Sequence, residues 1–381
     1  MNHQRWLSKN FITFFFTWGV FLPYWTGWLV SHKGLTIAQA SLVMSLGLVV
    51  RAGSTMFLFP SLSKHWSNKV VLVFFTAFSL AVALLYVPAN SFSSLLMITL
   101  LFHIAYPALL PAVESSATVL MQQGGIEYGK ARSFGSIAFI VSVLIISMFT
   151  GVFGEQAILW SMILGLVGML VIQLMPAPEM LSEKPKVIKK AVSMKQLFSR
   201  GSFVVVLIVV ILLQGAHAAY YNYGYIYLQH LNVNPFYIGM VLNVAVLFEV
   251  LYFLKADTFL AKWRPSSLLL LAAIGASVRW GLIFIFPSIW IFILSQALHA
   301  LSFGVAHYAF IRFISKELPQ EQMANAQGLY SAFAMSLSAA VLTLFGGMLY
   351  EIEPGLAFLG MTVCTIPAIV LLLATRNRFH Y

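Results

Sequence analysis

The sequence predicts an all-α membrane protein with twelve transmembrane helices in two pseudo-symmetric six-helix bundles. Apolar residues make up 60% of the 381 residues and charged residues only 9%, a composition unlike that of a soluble domain. The apolar residues fall into twelve runs long enough to cross a bilayer, and a basic, proline-containing segment separates the first six runs from the last six. Alternating barrel strands are not apparent, so helices are the expected way to satisfy the backbone in lipid.

The runs follow one another along the chain with short polar links between them. The first run follows Arg5 and Lys9 and is longer than the apolar core of a typical signal peptide, so we expect it to be retained as the first helix. Several runs exceed the roughly twenty residues that a span needs, which predicts tilted or extended helices. In chain order the predicted spans cover approximately residues 10–30, 37–60, 70–88, 92–121, 131–153, 156–175, 202–229, 236–256, 267–287, 289–314, 323–349 and 355–374.

The basic residues predict the orientation of these spans. With the N-terminus inside, eighteen of the 22 lysines and arginines fall in cytoplasmic segments, and only Lys33 falls outside. This distribution follows the positive-inside rule and predicts a multi-pass protein of the bacterial inner membrane with both termini in the cytoplasm. The net charge of +11 is then a signal of topology, and we expect no nucleic-acid partner.

The central basic segment divides the chain into two halves. The predicted domains are an N-terminal bundle of residues 1–175, a cytoplasmic linker of residues 176–201 and a C-terminal bundle of residues 202–381. Tyr24-Trp25 and Tyr220-Tyr221 are 196 positions apart, as are His103 and His299. Such a constant offset indicates an internal duplication. Two six-helix halves are the architecture of a secondary transporter, whose site is expected near the midplane between them.

Two groups of motifs resemble a known family. Pro111-Ala-Val-Glu114 and Glu127-Tyr-Gly-Lys-Ala-Arg132 are similar to the lactose-permease branch of the major facilitator superfamily, including the spacing from glutamate to arginine. Within that branch, Gln214-Gly-Ala-His-Ala-Ala-Tyr-Tyr221, Val278-Arg-Trp-Gly281 and Leu298-His299 resemble the bacterial 3-phenylpropionate (cinnamate) permeases. The loop after the second helix departs from the superfamily pattern, because Ser63-Lys64 stands where an aspartate is usual.

The resemblance implies roles for several residues. It implies that Glu114 and Arg132 contact substrate, and that Arg279 and His299 correspond to the arginine and histidine of the lactose-permease proton cluster. The glutamate expected three residues after that histidine is Ser302 here. Phe139 stands where the sugar-binding pattern has a tryptophan that stacks on the sugar ring.

Of the formal charges within the predicted spans, five are candidates for function, three of them arginines and two of them glutamates: Arg51, Glu114, Arg132, Glu249 and Arg279. Each costs about 2.5–3.5 kcal/mol on insertion scales when it is unpaired, so we expect these side chains to face the bundle interior and to pair. One positive charge is left over when the histidines are neutral. An anionic substrate would complete the balance.

Arg132 is the leading candidate for contact with such a substrate. A guanidinium group can hold a carboxylate with two parallel hydrogen bonds, and Phe139, two helical turns further on, shares its face of the helix. Trp25 and Tyr221, with His217, occupy related places in the two halves and suit an aromatic ligand. The alternatives are that Glu114 and Arg132 only brace two helices, and that the aromatic residues serve packing.

Coupling to protons needs a group that can titrate, which an arginine cannot supply in practice. Because Ser302 replaces the family's glutamate, the proton carrier has either moved, to Glu249 or His217, or been lost. Arg279 and His299 are the other candidates for proton coupling, as the resemblance implies. Structural pairing of Glu249 and of His299 remains the alternative. Arg51 is expected to act as a gating or bracing charge.

These features predict a secondary active transporter, and the resemblance suggests its substrate. We expect proton-coupled uptake of a small aromatic carboxylate such as 3-phenylpropionate by alternating access, with the lipid bilayer, protons and an organic anion as partners. The alternatives are a proton symporter of a neutral sugar or nucleoside, and a non-transporting receptor on a transporter fold. No nucleophile–base pair, phosphate-binding loop or metal-ligand pattern stands out, so we expect no enzyme activity, cofactor or metal. The protein is expected to act as a monomer.

Overall fold

Long helices account for nearly all of the secondary structure. A computed structural model describes residues 2–124, 126–183, 194–260 and 262–378, and no strand occurs in these ranges. Each of the twelve predicted spans coincides with a helix, and these helices are numbered α1 to α12 below. The predicted linker 176–201 is only partly testable, because residues 184–193 lie outside the described ranges.

The first six helices contain three breaks in regular α-helical geometry, two of them π-helical turns and one a 3₁₀ turn. They are α1 (His3–Gly27, continued by a π turn at Trp28–His32), α2 (Ile37–Gly53, a π turn at Ser54–Leu58, then Phe59–His65), α3 (Asn68–Leu85), α4 (Phe92–Ala105, a 3₁₀ turn at Tyr106–Ala108, then Leu109–Gly124), α5 (Tyr128–Phe153) and α6 (Gln156–Leu174).

The last six helices are interrupted in a similar way. They are α7 (Gly201–Gly215 and Ala218–His230), α8 (Pro235–Leu260), α9 (Pro265–Ile285), α10 (Ile289–Ala297, a π turn at Ala300–Val305, then Ala306–Glu317), α11 (Gln320–Leu329, a π segment at Tyr330–Leu337, then Ser338–Ile352) and α12 (Pro354–Thr375). Between the two sets, a 3₁₀ turn covers Glu179–Leu181 and a short helix covers Met194–Phe198.

Eleven helical segments of the described ranges are long and apolar enough to cross a membrane, and they correspond to α2 through α12. α1 is long enough, but its tryptophan, tyrosine and threonine residues lower its mean hydropathy. α1 therefore differs from the other spans in its side chains and not in its length.

Local sequence signals explain where the helices begin. Thr36 and Gln39 form a capping box at the start of α2, and Ser67 caps α3; such caps satisfy backbone N–H groups that have no partner within the helix. Proline opens α9 and α12, where its fixed φ angle and missing N–H group are tolerated. At the end of α5, Gly154 has φ +74°, a conformation that glycine adopts at little cost.

The described helices form two compact units. The first has the bounds Met1–Lys189 together with Asn234–Gly239, and the second has Lys190–Val233 together with Met240–Tyr381. The start of α8 belongs to the first unit because Ser147 of α5 holds it. The Ser147 hydroxyl donates to the carbonyl oxygen of Pro235 at 2.6 Å and accepts from the backbone N–H of Gly239 at 2.7 Å.

Within the first unit, α1 packs most extensively on α5 and next on α6. The approach to α5 is close at Gly19, where a Cβ atom would collide with the Ser142 hydroxyl and lie 2.9 Å from the carbonyl oxygen of Phe139. In the second unit α9 packs most extensively on α10 and α12, and α7 packs mainly on α11. These contacts fix the faces of α1, α5, α7 and α9 that carry the candidate functional residues.

Candidate functional site

Glu114 of α4 and Arg132 of α5 lie together in the first unit. Arg132 Nε lies 3.8 Å from Glu114 Oε1, and about a third of each side chain is exposed (33% and 35%). The Tyr128 hydroxyl donates a 2.8 Å hydrogen bond to Glu114 Oε2. The carboxylate is therefore held by two side chains of α5 that stand one helical turn apart.

The guanidinium of Arg132 rests on aromatic rings of α1. Its Cζ atom lies 4.0 Å from the ring centroid of Phe15 and 5.7 Å from that of Phe11, distances at which a cation is attracted to a ring face. Nη1 makes a long contact with the Ser136 hydroxyl at 3.5 Å, and the Tyr128 hydroxyl also lies near the guanidinium. Two terminal N–H groups on one edge of the group thus retain most of their capacity to bind a ligand.

The aromatic residues expected near this pair differ in exposure. Phe139 is half-buried and lies against α1 at Gly19. Trp25 is completely buried, and its ring stacks on Trp28 with centroids 4.4 Å apart and meets Tyr86 edge-on at 4.8 Å. The surroundings of Trp25 are those of a packing residue, and its assignment to the substrate site stays a prediction.

The expectation that every charge within a span would pair does not hold for Arg51 of α2. Its guanidinium lies over the ring of Trp18, with 5.4 Å from Cζ to the centroid, and no ion pair joins it to a carboxylate of the described ranges. Arg51 is half-buried. The two acidic residues of the spans lie elsewhere, beside Arg132 and beside His299.

In the second unit, Arg279 of α9 is the centre of a buried polar cluster. It is 0% exposed, and its hydrogen-bond partners among the described residues are neutral side chains of α10. Nη1 contacts His299 Nδ1 at 2.8 Å and the Ser302 hydroxyl at 3.2 Å, and Nη2 donates to Gln296 Oε1 at 3.2 Å. The rings of Tyr220 and Trp280 lie 4.8 and 4.3 Å from its Cζ atom.

His299 connects this cation to Glu249 of α8. A guanidinium can only donate hydrogen bonds, so His299 Nδ1 accepts and the ring proton resides on Nε2. His299 Nε2 lies 3.3 Å from Glu249 Oε2. A neutral imidazole thus stands between a buried cation and a carboxylate that is 24% exposed.

His217 of α7 extends the cluster. Its Nδ1 lies 3.0 Å from the carbonyl oxygen of Leu213, and its Nε2 lies 3.1 Å from the Ser302 hydroxyl. Because a carbonyl only accepts, Nδ1 carries the proton and Nε2 accepts from Ser302. His217 is 0% exposed, so it belongs to the interior of the cluster. Tyr221 is half-buried and lies at the edge of the cluster, with 6.0 Å between the ring centroids of Tyr221 and His217.

The structure therefore brings together Glu114 with Arg132, and Glu249 with His299, Arg279 and His217. Sequence reasoning missed Tyr128 and Gln296 as partners of these groups. Each had a local signal, because Tyr128 precedes Arg132 by four residues and Gln296 precedes His299 by three, spacings that place side chains on one helix face. The bridging role of Ser302 follows from the same spacing.

Comparisons with known proteins extend over nearly the whole chain. A family model described as "MFS_1 like family" matches residues 5–359. The chain is 29% identical over 379 residues to the "Probable 3-phenylpropionic acid transporter" of Escherichia coli (strain K12), with 97% of each chain covered. It is 26% identical over 377 residues to the "Maltose permease" of Geobacillus stearothermophilus, with 96% of this chain and 93% of that one covered.

Solved structures share the fold. The nucleoside transporter NupG superposes with a TM-score of 0.78 at 18% identity, with both chains covered completely. A peptide transporter POT in complex with alafosfalin superposes with a TM-score of 0.75 at 12% identity, covering 98% of this chain and 94% of that one. These relatives and neighbours are membrane transporters and not enzymes, and the chain belongs to the MFS_1 like family as a multi-pass transporter of the major facilitator type.

Proposed function

We propose that this transporter takes up a small aromatic carboxylate, such as 3-phenylpropionate, together with protons by alternating access. It would act in the bacterial inner membrane with both termini in the cytoplasm, as the distribution of basic residues predicts. The substrate class is supported by the similarity to the "Probable 3-phenylpropionic acid transporter" and by the arginines within the spans.

The observation that carries the substrate assignment is the geometry of Arg132. Glu114 approaches its Nε edge at 3.8 Å, and Phe15 supports its face at 4.0 Å. The terminal N–H groups are left to meet a ligand. A carboxylate matches two such groups with parallel hydrogen bonds, and the ring of Phe15 presents an apolar surface next to them.

The cluster around Arg279 supports proton coupling. With Glu249 ionised, the positive charge of Arg279 is balanced across neutral His299. Protonation of Glu249 would remove the negative charge at the end of this series of contacts. Arg279 would then be a completely buried cation whose described partners are all neutral, an arrangement of high free energy. Uptake and release of one proton at Glu249 therefore changes the stability of this helix arrangement, which is the requirement for coupling a proton to a conformational cycle.

The test is uptake by the purified protein in proteoliposomes with an imposed pH gradient. We expect 3-phenylpropionate to accumulate when the outside is acidic, and accumulation to stop when a protonophore removes the gradient. Maltose and a nucleoside serve as comparison substrates. The methyl ester of 3-phenylpropionate should compete poorly for this uptake. If it competed as strongly as the free acid, a carboxylate site would be contradicted.

A neutral sugar is the second candidate substrate. It is favoured by the similarity to "Maltose permease" and by the Glu114–Arg132 pair, which offers both an acceptor and donors to a hydroxyl-rich ligand. Tyr128 already occupies one oxygen of Glu114. Accumulation of maltose and not of 3-phenylpropionate in the same vesicles would favour this candidate.

A further inference from the structure

Arg51 is a cation within a membrane span that has no carboxylate partner in the described ranges. It lies in the last turn of the first part of α2, Ile37–Gly53, and no hydrogen bond of its guanidinium to a described residue occurs. Side chains of this kind at such positions almost always pair with an opposite charge or face a substrate or ion pathway. A bracing role would call for an opposite charge on a partner helix. Within the described ranges the guanidinium lies over the ring of Trp18 of α1 and near His103 of α4, neither of which carries a negative charge.

The other two candidate arginines of the spans, Arg132 and Arg279, each have a carboxylate that balances their charge. Glu114 lies beside Arg132, and Glu249 balances Arg279 through His299. The surplus positive charge that the sequence predicts therefore resides on Arg51, and not on Arg132. Arg51, for which we expected a gating or bracing role, is therefore the arginine whose charge no described carboxylate balances.

The surroundings of Arg51 suit an aromatic anion. Trp18 and Phe15 lie one turn apart on α1. The Cζ atom of Arg51 lies 5.4 Å from the ring centroid of Trp18, and that of Arg132 lies 4.0 Å from the ring centroid of Phe15. Both Trp18 and Arg51 are half-buried, so neither is sealed within the helix packing. One face of α1 thus presents aromatic rings next to two guanidinium groups.

The position of Arg51 is fixed by the contact of α2 with α4. Gly47 precedes Arg51 by one helical turn on the same face, and the ring of His103 fills the space that a side chain at position 47 would need, with 2.7 Å from its Nδ1 to an added Cβ atom. A π turn, Ser54–Leu58, begins three residues after Arg51, a feature frequently found at functional sites. Helix packing, and not a partner charge, orients this side chain.

We propose that Arg51 binds the carboxylate of the transported substrate and supplies the net positive charge of the site, while Trp18 forms part of its aromatic wall. This assignment rests on the proposed uptake of an aromatic carboxylate and adds to it the residue that selects the anion. Arg132, balanced by Glu114, then contributes hydrogen bonds and orientation.

The test compares the acid with its neutral amide. Binding of 3-phenylpropionate and of 3-phenylpropanamide to the purified full chain is measured by calorimetry for the parent and for Arg51→Gln. Loss of a hydrogen bond to a charged group is expected to weaken binding of the acid about tenfold to a hundredfold, and binding of the amide is expected to be unchanged. Arg376→Gln, which removes one positive charge at an exposed position after α12, is the matched control and should bind both ligands as the parent does.

Each other outcome overturns the assignment. If Arg51→Gln keeps the parent's ratio of acid to amide affinity, or loses both equally, Arg51 does not bind the carboxylate although the proposed function stands. If the parent binds neither ligand, the proposed function fails and the assignment falls with it. Should Arg51→Gln not fold, Arg51→Lys is used. An ammonium cannot form two parallel hydrogen bonds, so this change should weaken binding of the acid alone about threefold to tenfold. Equal affinity of Arg51→Lys and the parent for the acid would overturn the assignment.

Discussion

His299 Nδ1 accepts a hydrogen bond from Arg279 Nη1 across 2.8 Å, and this contact sets the protonation of the imidazole. A protonated His299 would point an N–H group at a guanidinium N–H group, so the two cannot coexist in this arrangement. The proton on Nε2 faces Glu249 Oε2 at 3.3 Å. The Glu249 carboxylate can therefore take up a proton without breaking the contact between His299 and Arg279.

The first prediction concerns Glu249. Glu249→Gln keeps an acceptor for His299 Nε2 but cannot release a proton, so accumulation driven by a pH gradient should fall at least tenfold. Exchange of labelled for unlabelled substrate across the vesicle membrane should continue, because it needs no net proton movement. Glu353→Gln, exposed before α12, is the control that should leave both activities intact. Undiminished gradient-driven accumulation in Glu249→Gln would exclude Glu249 as the coupling group.

The second prediction concerns the shape of the Arg132 side chain. Arg132→Lys keeps the charge but loses the fork that can hold a carboxylate at two points and the planar group that rests on Phe15. We expect the KM for 3-phenylpropionate uptake to rise about tenfold, in line with loss of about 1.5 kcal/mol from a charge-assisted hydrogen bond. Initial rates over a range of substrate concentrations give this value. Arg376→Lys is the control, and normal KM in Arg132→Lys would refute bidentate contact.

The third prediction compares two buried glutamines. Gln296→Leu removes the acceptor of Arg279 Nη2 and leaves a donor of a buried charge unpaired, so the free energy of unfolding should fall by about 1–3 kcal/mol. Gln173 of α6 is also buried, but neither amide atom has a hydrogen-bond partner in the described ranges. Gln173→Leu should therefore be neutral or stabilising. Thermal unfolding in detergent measures both, and equal destabilisation by the two changes would contradict the assigned contact.

The fourth prediction tests the contact of α1 with α5. Gly19→Ala places a Cβ atom against the Ser142 hydroxyl, and we expect a cost of about 1–3 kcal/mol from overpacking. In a Ser142→Gly background that cost should fall to less than half, since the main obstacle is gone and the carbonyl oxygen of Phe139 remains at 2.9 Å. Gly53→Ala, where an added Cβ meets nothing within 4 Å, is the control. Additive effects of Gly19→Ala and Ser142→Gly would show that the helices do not meet at this point.

Several parts of the candidate site could be predicted because they depend on spacing along one helix. Arg132 and Phe139 share a face of α5, and Gln296, His299 and Ser302 share a face of α10. The contact of Glu114 with Arg132 across helices was predicted from the resemblance to a family motif. That no carboxylate of the described residues pairs with Arg51 could not be predicted. It depends on how α2 is rotated against α1 and α4, which is decided by the packing of Gly47 on His103.

By itself, the sequence determined that this protein is a bundle of membrane-spanning helices and where each helix runs, because the length of an apolar run and the side on which basic residues collect are local properties of the chain. Only the tertiary structure decided which buried charges meet. Arg279 reaches Glu249 through His299, and Arg51 lies over the ring of Trp18 with no carboxylate of the described residues bonded to it. The physical reason is that contacts between helices depend on their rotation and close packing, which involve residues far apart in the chain and which spacing along one helix does not encode.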